Sequence, residues 1–166
     1  MTDMVIQKFN NTWKNPPSSM RIIKGIILHC SAEPEGRDTQ PKQIEYYHHQ
    51  RGFTSIGYHY LITLDGTVWE TRPIIYSGAH CEGKNGNYIG ICYIGGMNKE
   101  YTQPKDTRTD AQKESLFTLV TVLMKEHNLK LDDIYGHYQF SKKACPSFKI
   151  DDWKKEYKEW LDGKDI

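Results

Sequence analysis

Long apolar runs are absent from this sequence. No stretch of the 166 residues approaches the roughly 20 apolar residues that a helix needs to cross a bilayer, so we predict no membrane insertion. The first eight residues also lack a basic segment followed by an apolar one, which is the pattern of a secretory signal. We therefore expect synthesis in the cytoplasm.

An excess of charge of either sign is also missing. Twenty-two Lys and Arg residues face 21 Asp and Glu residues, which leaves a formal charge of +1. A protein that binds duplex DNA electrostatically needs a basic surface, so we predict no nucleic-acid partner. Four cysteines without a CxxC spacing are too few for a disulfide framework and favour a reducing compartment.

The remaining composition fits one folded domain. A chain of this length with 37% hydrophobic residues can bury a core of its own. Residues 1–20 are polar and end in an Asn-Pro-Pro-Ser-Ser cluster, so we predict an N-terminal arm over 1–20 and a domain over 21–166. We expect a monomer.

The order of predicted elements indicates an α/β domain. Apolar runs over 21–29 and 88–96 predict buried central strands, and Asp65-Gly66 between two β-rich runs predicts a hairpin. Helices are predicted after residue 40, with Ile44, Tyr47 and His48 on the buried face, and after a Thr109–Gln112 capping box. A last helix follows Asp151. The fold class is therefore a mixed central β-sheet flanked by helices.

Histidines at predicted strand ends and a loop cysteine could carry chemistry. His29 ends the first central strand, His137 ends a short strand over 134–136, and Cys145 precedes a proline. Neutral imidazole and thiolate are ligands that suit Zn²⁺, and a catalytic site takes three of them. Hydrogen-bonded structural histidines and a buried thiol explain the same residues, and spacing alone leaves both interpretations open.

Six short motifs, in order, resemble the zinc-dependent N-acetylmuramoyl-L-alanine amidases. This family of type-2 amidases includes the amidase-type phage lysozymes and the peptidoglycan recognition proteins. The motifs are IILHCSA at 26–32, GYHY at 57–60 with DGTV at 65–68, GAH at 78–80, NYIGI at 87–91, GH at 136–137 and KACPSF at 143–148. Each is unspecific by itself, whereas the complete ordered set is closest to the phage lysozyme branch.

The resemblance implies a role for six side chains. It implies zinc ligation by His29, His137 and Cys145, catalytic roles for Tyr58 and Lys143, and a place in the substrate groove for His80. The implied reaction is hydrolysis of the amide between N-acetylmuramic acid and L-alanine in bacterial peptidoglycan or a muropeptide. The implied place of action is the cell wall, and release through a holin-type pore fits a chain without a visible signal.

Two other functions remain as alternatives. Some members of the family bind wall fragments without cleaving them after losing a metal ligand, so a non-catalytic peptidoglycan-binding module is the second hypothesis. A closed structural zinc site is the third, although the motifs offer no fourth ligand.

We expect His59, Cys30 and Cys92 to be buried structural residues, with Tyr58 and Tyr60 on one strand face. Tyr88 departs from the family pattern, which has serine there.

Overall fold

A six-stranded mixed sheet forms the centre of the molecule. The computed structural model describes residues 4–13, 19 and 22–164. The strands are β1 (Ile6–Lys8), β2 (Gly25–Cys30), β3 (Glu33–Pro34), β4 (Tyr60–Ile62), β5 (Val68–Glu70), β6 (Tyr88–Tyr93), β7 (Gly96–Met97) and β8 (Ile134–Gly136). The large sheet has the order β1-β5-β4-β6-β2-β8, and β3 pairs with β7 apart from it. Within the large sheet only β4 and β5 are antiparallel, which confirms the predicted hairpin.

In the described part of the chain, three α-helices cover the two faces of the sheet. They are α1 (Pro41–Gln50), α2 (Asp110–Glu126) and α3 (Ile150–Asp162). One core cluster joins side chains of α2 and α3 to alternate residues of the central strands, while a smaller one places Ile44 of α1 against Leu61 and Cys92 on the other face. The predicted mixed α/β fold is therefore confirmed. Among the described residues, no helix has the length and apolar character needed to cross a membrane.

Strand β2 is buried on both faces because helices lie above and below it. All six of its residues are buried, as the apolar run predicted. Ile26 and Leu28 face α2 and α3. Residue 29 therefore faces the α1 side, because successive side chains of a strand point to opposite faces.

Part of the predicted N-terminal arm belongs to the sheet. Ile6–Lys8 pair with Val68–Glu70 in parallel and form one border of the sheet. A three-residue strand carries no readable periodicity, which is why the sequence did not predict it. The predicted boundary at residue 20 falls beside positions 14–18, 20 and 21, which lie outside the described residues, so the boundary stays a prediction.

The buried face of α1 differs from the prediction at one position. Tyr47 is 45% exposed, whereas Glu45 is only 7% exposed. The Glu45 carboxylate accepts hydrogen bonds from the Thr12 amide at 2.8 Å and the Ser55 hydroxyl at 3.3 Å. Partners from distant segments make burial of this charge possible.

The predicted capping box at the start of α2 is present and also reaches the sheet. The Thr109 hydroxyl accepts from the Gln112 amide, and the Gln112 side-chain oxygen accepts from the Thr109 amide at 2.9 Å. The Gln112 side-chain NH₂ group donates to the carbonyls of Ile62 and Ile94 at 3.1 and 3.0 Å. One fully buried amide thus ties the helix to the ends of two strands.

We predict that Gln112→Met destabilises the fold by about 3 kcal/mol, because three buried side-chain hydrogen bonds of about 1 kcal/mol each are lost. Urea unfolding followed by circular dichroism measures this change. Thr118→Ala is the control, because that hydroxyl bonds only the Glu114 carbonyl of its own helix, and it should change stability by less than about 0.5 kcal/mol. Equal effects of the two substitutions would contradict this account of Gln112.

Candidate metal centre and cleft

His29 and His137 lie side by side at the carboxyl ends of two paired strands. Strand β8 pairs with β2 in parallel, with Leu28 opposite Gly136, so His29 and His137 each follow the same paired position. Their ring centroids lie 4.5 Å apart. Parallel pairing thus joins two residues that are far apart in the chain.

Cys145 lies beside the two histidines, on a loop that two hydrogen bonds hold in position. The Tyr138 amide, one residue after His137, donates to the Cys145 carbonyl at 2.8 Å. The buried Tyr93 hydroxyl donates to the Pro146 carbonyl at 2.8 Å. These bonds place the Cys145 sulfur 3.7 Å from Nδ1 of His29.

The three side chains form a donor set that fits a metal ion. One ligand atom from each of His29, His137 and Cys145 lies within 4.8 Å of the others. Two ligands of a tetrahedral zinc ion stand about 3.5 Å apart at ordinary bond lengths, so the donors need only a small contraction. Burial first, then the neighbouring His80 ring, holds the pKa of His29 well below its ordinary value, and burial followed by Lys143 lowers the pKa of His137. Both rings are therefore neutral near pH 7, as ligation requires.

The backbone also supports negative charge on the sulfur. The Cys30 amide donates to the Cys145 sulfur at 3.2 Å. The hydrogen bond that links the two thiols lowers the pKa of Cys30 to about 7 and raises the pKa of Cys145. Cys30 is buried as predicted, and its thiol also lies 3.7 Å from the Ser147 hydroxyl. The thiol pair is therefore suited to carry one negative charge beside a cation.

His80 lies directly behind His29. Nδ1 of His80 is 2.9 Å from Nε2 of His29, and Nε2 of His80 is 3.0 Å from the Tyr88 carbonyl oxygen. Burial lowers the pKa of His80 to about 3, so this ring is neutral. It borders the cleft, and both of its ring nitrogens contact protein atoms, while its place in a substrate groove stays a prediction.

Tyr58 packs on the α1 side of the sheet, next to His29, without belonging to a strand. Its ring centroid lies 5.1 Å from that of His29 and 5.5 Å from that of His48. Burial first, then charge on the nearby Cys92 thiol, raises the pKa of Tyr58 well above its ordinary value. The phenol is therefore a proton-bearing donor near neutral pH.

The predicted common face of Tyr58 and Tyr60 is wrong. Tyr58 packs with the α1-side cluster, whereas Tyr60 is in the core under α2 and α3. Regular strand alternation begins only at Tyr60, so it does not extend back to residue 58. His59 is fully buried, as predicted, and its Nε2 lies 2.8 Å from the Tyr76 carbonyl oxygen.

A cleft of about 470 Å³ opens beside the three donors and is lined by one of them, His137. His137, Lys143, His80 and Tyr58 border it, and Lys143 is exposed at its rim. A second hollow of about 310 Å³ adjoins it and shares His48, Arg51 and Tyr58 as lining. His48 and Arg51 were not predicted as cleft residues. The burial of one face of α1 could have indicated His48, whereas no sequence signal indicated Arg51.

Comparisons with known proteins agree with this geometry. The profile of the Amidase_2 family, described as N-acetylmuramoyl-L-alanine amidase, matches residues 18–148. The endolysin of Escherichia phage T7 is 33% identical over 128 residues, which cover 77% of this chain and 83% of the phage protein. Peptidoglycan-recognition protein SC2 of Drosophila melanogaster is 33% identical over 128 residues, covering 76% of this chain and 65% of the fly protein.

A solved amidase structure is similar to this protein over nearly the whole chain. The N-acetylmuramoyl-L-alanine amidase LysC from Clostridium intestinale URNW superposes with a TM-score of 0.80 at 29% sequence identity. The match covers 98% of this chain and 100% of that one. The resemblance found in the sequence motifs is confirmed, and the chain belongs to the N-acetylmuramoyl-L-alanine amidase family.

Proposed function

We propose that this protein is a zinc-dependent hydrolase that cleaves the amide between N-acetylmuramic acid and L-alanine in bacterial peptidoglycan. The observation that carries the proposal is the convergence of His29, His137 and Cys145 on one point beside an open cleft that His137 lines. Family membership supplies the reaction class.

The ligand set favours zinc over harder cations. Two neutral imidazoles and one thiolate are nitrogen and sulfur donors, whereas Mg²⁺ and Ca²⁺ prefer oxygen. When bound, zinc supplies Lewis acidity, which makes water a nucleophile near neutral pH and polarises the scissile carbonyl. Three protein ligands are the number found in catalytic rather than structural zinc sites.

Two side chains near the metal ligands can assist hydrolysis of the scissile amide. Lys143 stands at the cleft rim close enough to lower the pKa of His137, so its ammonium can stabilise negative charge that develops on the carbonyl oxygen. The buried Tyr58 phenol keeps its proton and borders the cleft, so it is available as a hydrogen-bond donor to a substrate bound there. Both groups present positive charge density to the cleft.

The biological setting follows from the relatives. Endolysins of Escherichia phage T7 and Enterobacteria phage T3 are similar to this chain, so we place its action at the bacterial cell wall. Passage out of the cytoplasm through a holin-type pore and action as a monomer complete the proposal. The similarity to peptidoglycan-recognition proteins keeps binding without cleavage as the alternative, and the presence of Cys145 in the donor set favours the enzyme.

Removal of the metal tests the proposal most directly. We expect purified peptidoglycan digested by the protein to release stem peptides with a free L-alanine amino terminus, identified by mass spectrometry. A chelator should stop the release, zinc should restore it, and Cys145→Ala should lower it at least a hundredfold because one of three ligands is lost. Release that continues under chelation, or products cut at glycosidic bonds, would contradict the proposal, and wall binding without any cleavage at saturating zinc would favour the alternative.

The adjacent lysines provide a matched pair of variants. We expect Lys143→Ala to lower kcat about a hundredfold, because a charge that stabilises the developing oxyanion is removed. Lys142→Ala should stay within about twofold, since that exposed side chain borders no part of the cleft. Zinc content is measured for both variants by atomic absorption. If the two substitutions lowered kcat equally, general surface charge rather than Lys143 would be responsible.

The two tyrosines allow a similar test of the phenol. Tyr58→Phe keeps the ring against His29 but removes the hydroxyl, and we expect kcat to fall about tenfold or more with little change in zinc content. Tyr60→Phe removes a hydroxyl on the opposite side of the sheet and should leave kcat unchanged. Steady-state hydrolysis of a soluble muropeptide measures both. Full activity of Tyr58→Phe would exclude the phenol from the reaction.

A further inference from the structure

We infer that His80 is a positioning residue, which fixes the proton of His29 on Nε2 so that Nδ1 is free to bind the metal. The inference rests on the proposed metal site and assigns His80 a role other than contact with substrate. Its basis is a directed chain of buried hydrogen bonds that runs from the Tyr88 carbonyl through His80 to His29.

The direction of this chain follows from its last acceptor. A carbonyl oxygen only accepts, so Nε2 of His80 carries a proton and donates to Tyr88. A neutral imidazole has one N–H, so Nδ1 of His80 must be the acceptor. The proton between the two rings therefore belongs to Nε2 of His29.

The position of this proton determines whether Nδ1, on the opposite side of the His29 ring, carries a free lone pair. With its proton on Nε2, His29 presents the Nδ1 lone pair, and this atom lies 3.7 Å from the Cys145 sulfur. In the other tautomer, Nδ1 would carry the proton toward the metal position, and two lone pairs would face each other between His29 and His80. The buried contact thus selects the tautomer that can ligate.

The His80 ring is packed tightly against two glycine positions. A Cβ at Gly90 would lie 2.6 Å from Cδ2 of His80, and one at Gly78 would lie 2.4 Å from the same atom. The ring therefore packs on two positions that only glycine permits. The Asn85 side-chain oxygen accepts from the backbone amides of His80 and Cys81 at 2.7 and 2.9 Å, which holds the segment in place.

The neighbouring His59 ring has hydrogen-bond partners of its own. The Gly90 amide donates to Nδ1 of His59 at 3.1 Å, and Nε2 of His59 lies 2.8 Å from the Tyr76 carbonyl oxygen. His59 is thus satisfied within the protein and does not compete for Nδ1 of His80. His80 remains the partner that sets the tautomer of His29.

Two variants of equal shape test the inference. Asn and Leu have the same number of side-chain heavy atoms with the same branching, and both lose the bond to Tyr88, but only Asn offers an oxygen near the position of Nδ1. Zinc affinity, measured by competition with a chromophoric chelator, should fall about 10- to 100-fold for His80→Leu and should stay within about fivefold of wild type for His80→Asn.

Nitrogen NMR of the metal-free protein gives a second readout that a merely structural role would not move. Long-range ¹H–¹⁵N spectra should show the proton of His29 on Nε2 in the wild type and a mixture of tautomers in His80→Leu. Equal losses of affinity in the two variants, or a His29 tautomer that is unchanged in His80→Leu, would overturn the inference. Failure of the proposed function would appear separately, as a wild-type protein that cleaves no amide, because neither readout uses hydrolysis.

Discussion

The parallel register between β2 and β8 is the constraint on which the site depends. Leu28 is held opposite Gly136, so the next residue of each strand is a histidine at the same edge of the sheet. The register is strongly specified because Ile26 and Ile134, paired two residues earlier, are both fully buried. A slip by one residue would turn His29 to the α2 and α3 face and abolish the donor set.

Hydrogen bonds from residues outside the donor set hold the three ligand side chains in position. Tyr138 and Tyr93 hold the Cys145 loop, while the Cys30 amide lies against its sulfur. His80 approaches His29 from the opposite side. The three donors are thus supported from behind by buried groups, whereas the side that faces the cleft carries Tyr58 and Lys143.

Much of this arrangement could be predicted from local patterns and ordered motifs. The apolar run over 21–29 indicated a strand buried on both faces, and Thr109 with Gln112 marked the start of α2. The ligand trio came from the resemblance, since a separation of more than 100 residues between His29 and His137 says nothing about distance in space.

What escaped prediction depends on contacts between distant segments. Glu45 is buried because Thr12 and Ser55 approach it, and neither neighbour can be identified from the sequence around α1. The bond between His29 and His80 depends on the orientation of two rings that are 51 residues apart. Tyr58 was assigned to the wrong face because strand alternation was extended beyond the point where the strand begins.

Both borders of the large sheet are three-residue strands, β1 on one side and β8 on the other. Unpaired backbone groups at a sheet border can recruit a strand from a second molecule, and a short border offers few of them. The longest strands, β2 and β6, pair with each other and are enclosed within the sheet. In crowded solutions, the described borders of the large sheet therefore offer few backbone groups for intermolecular strand pairing.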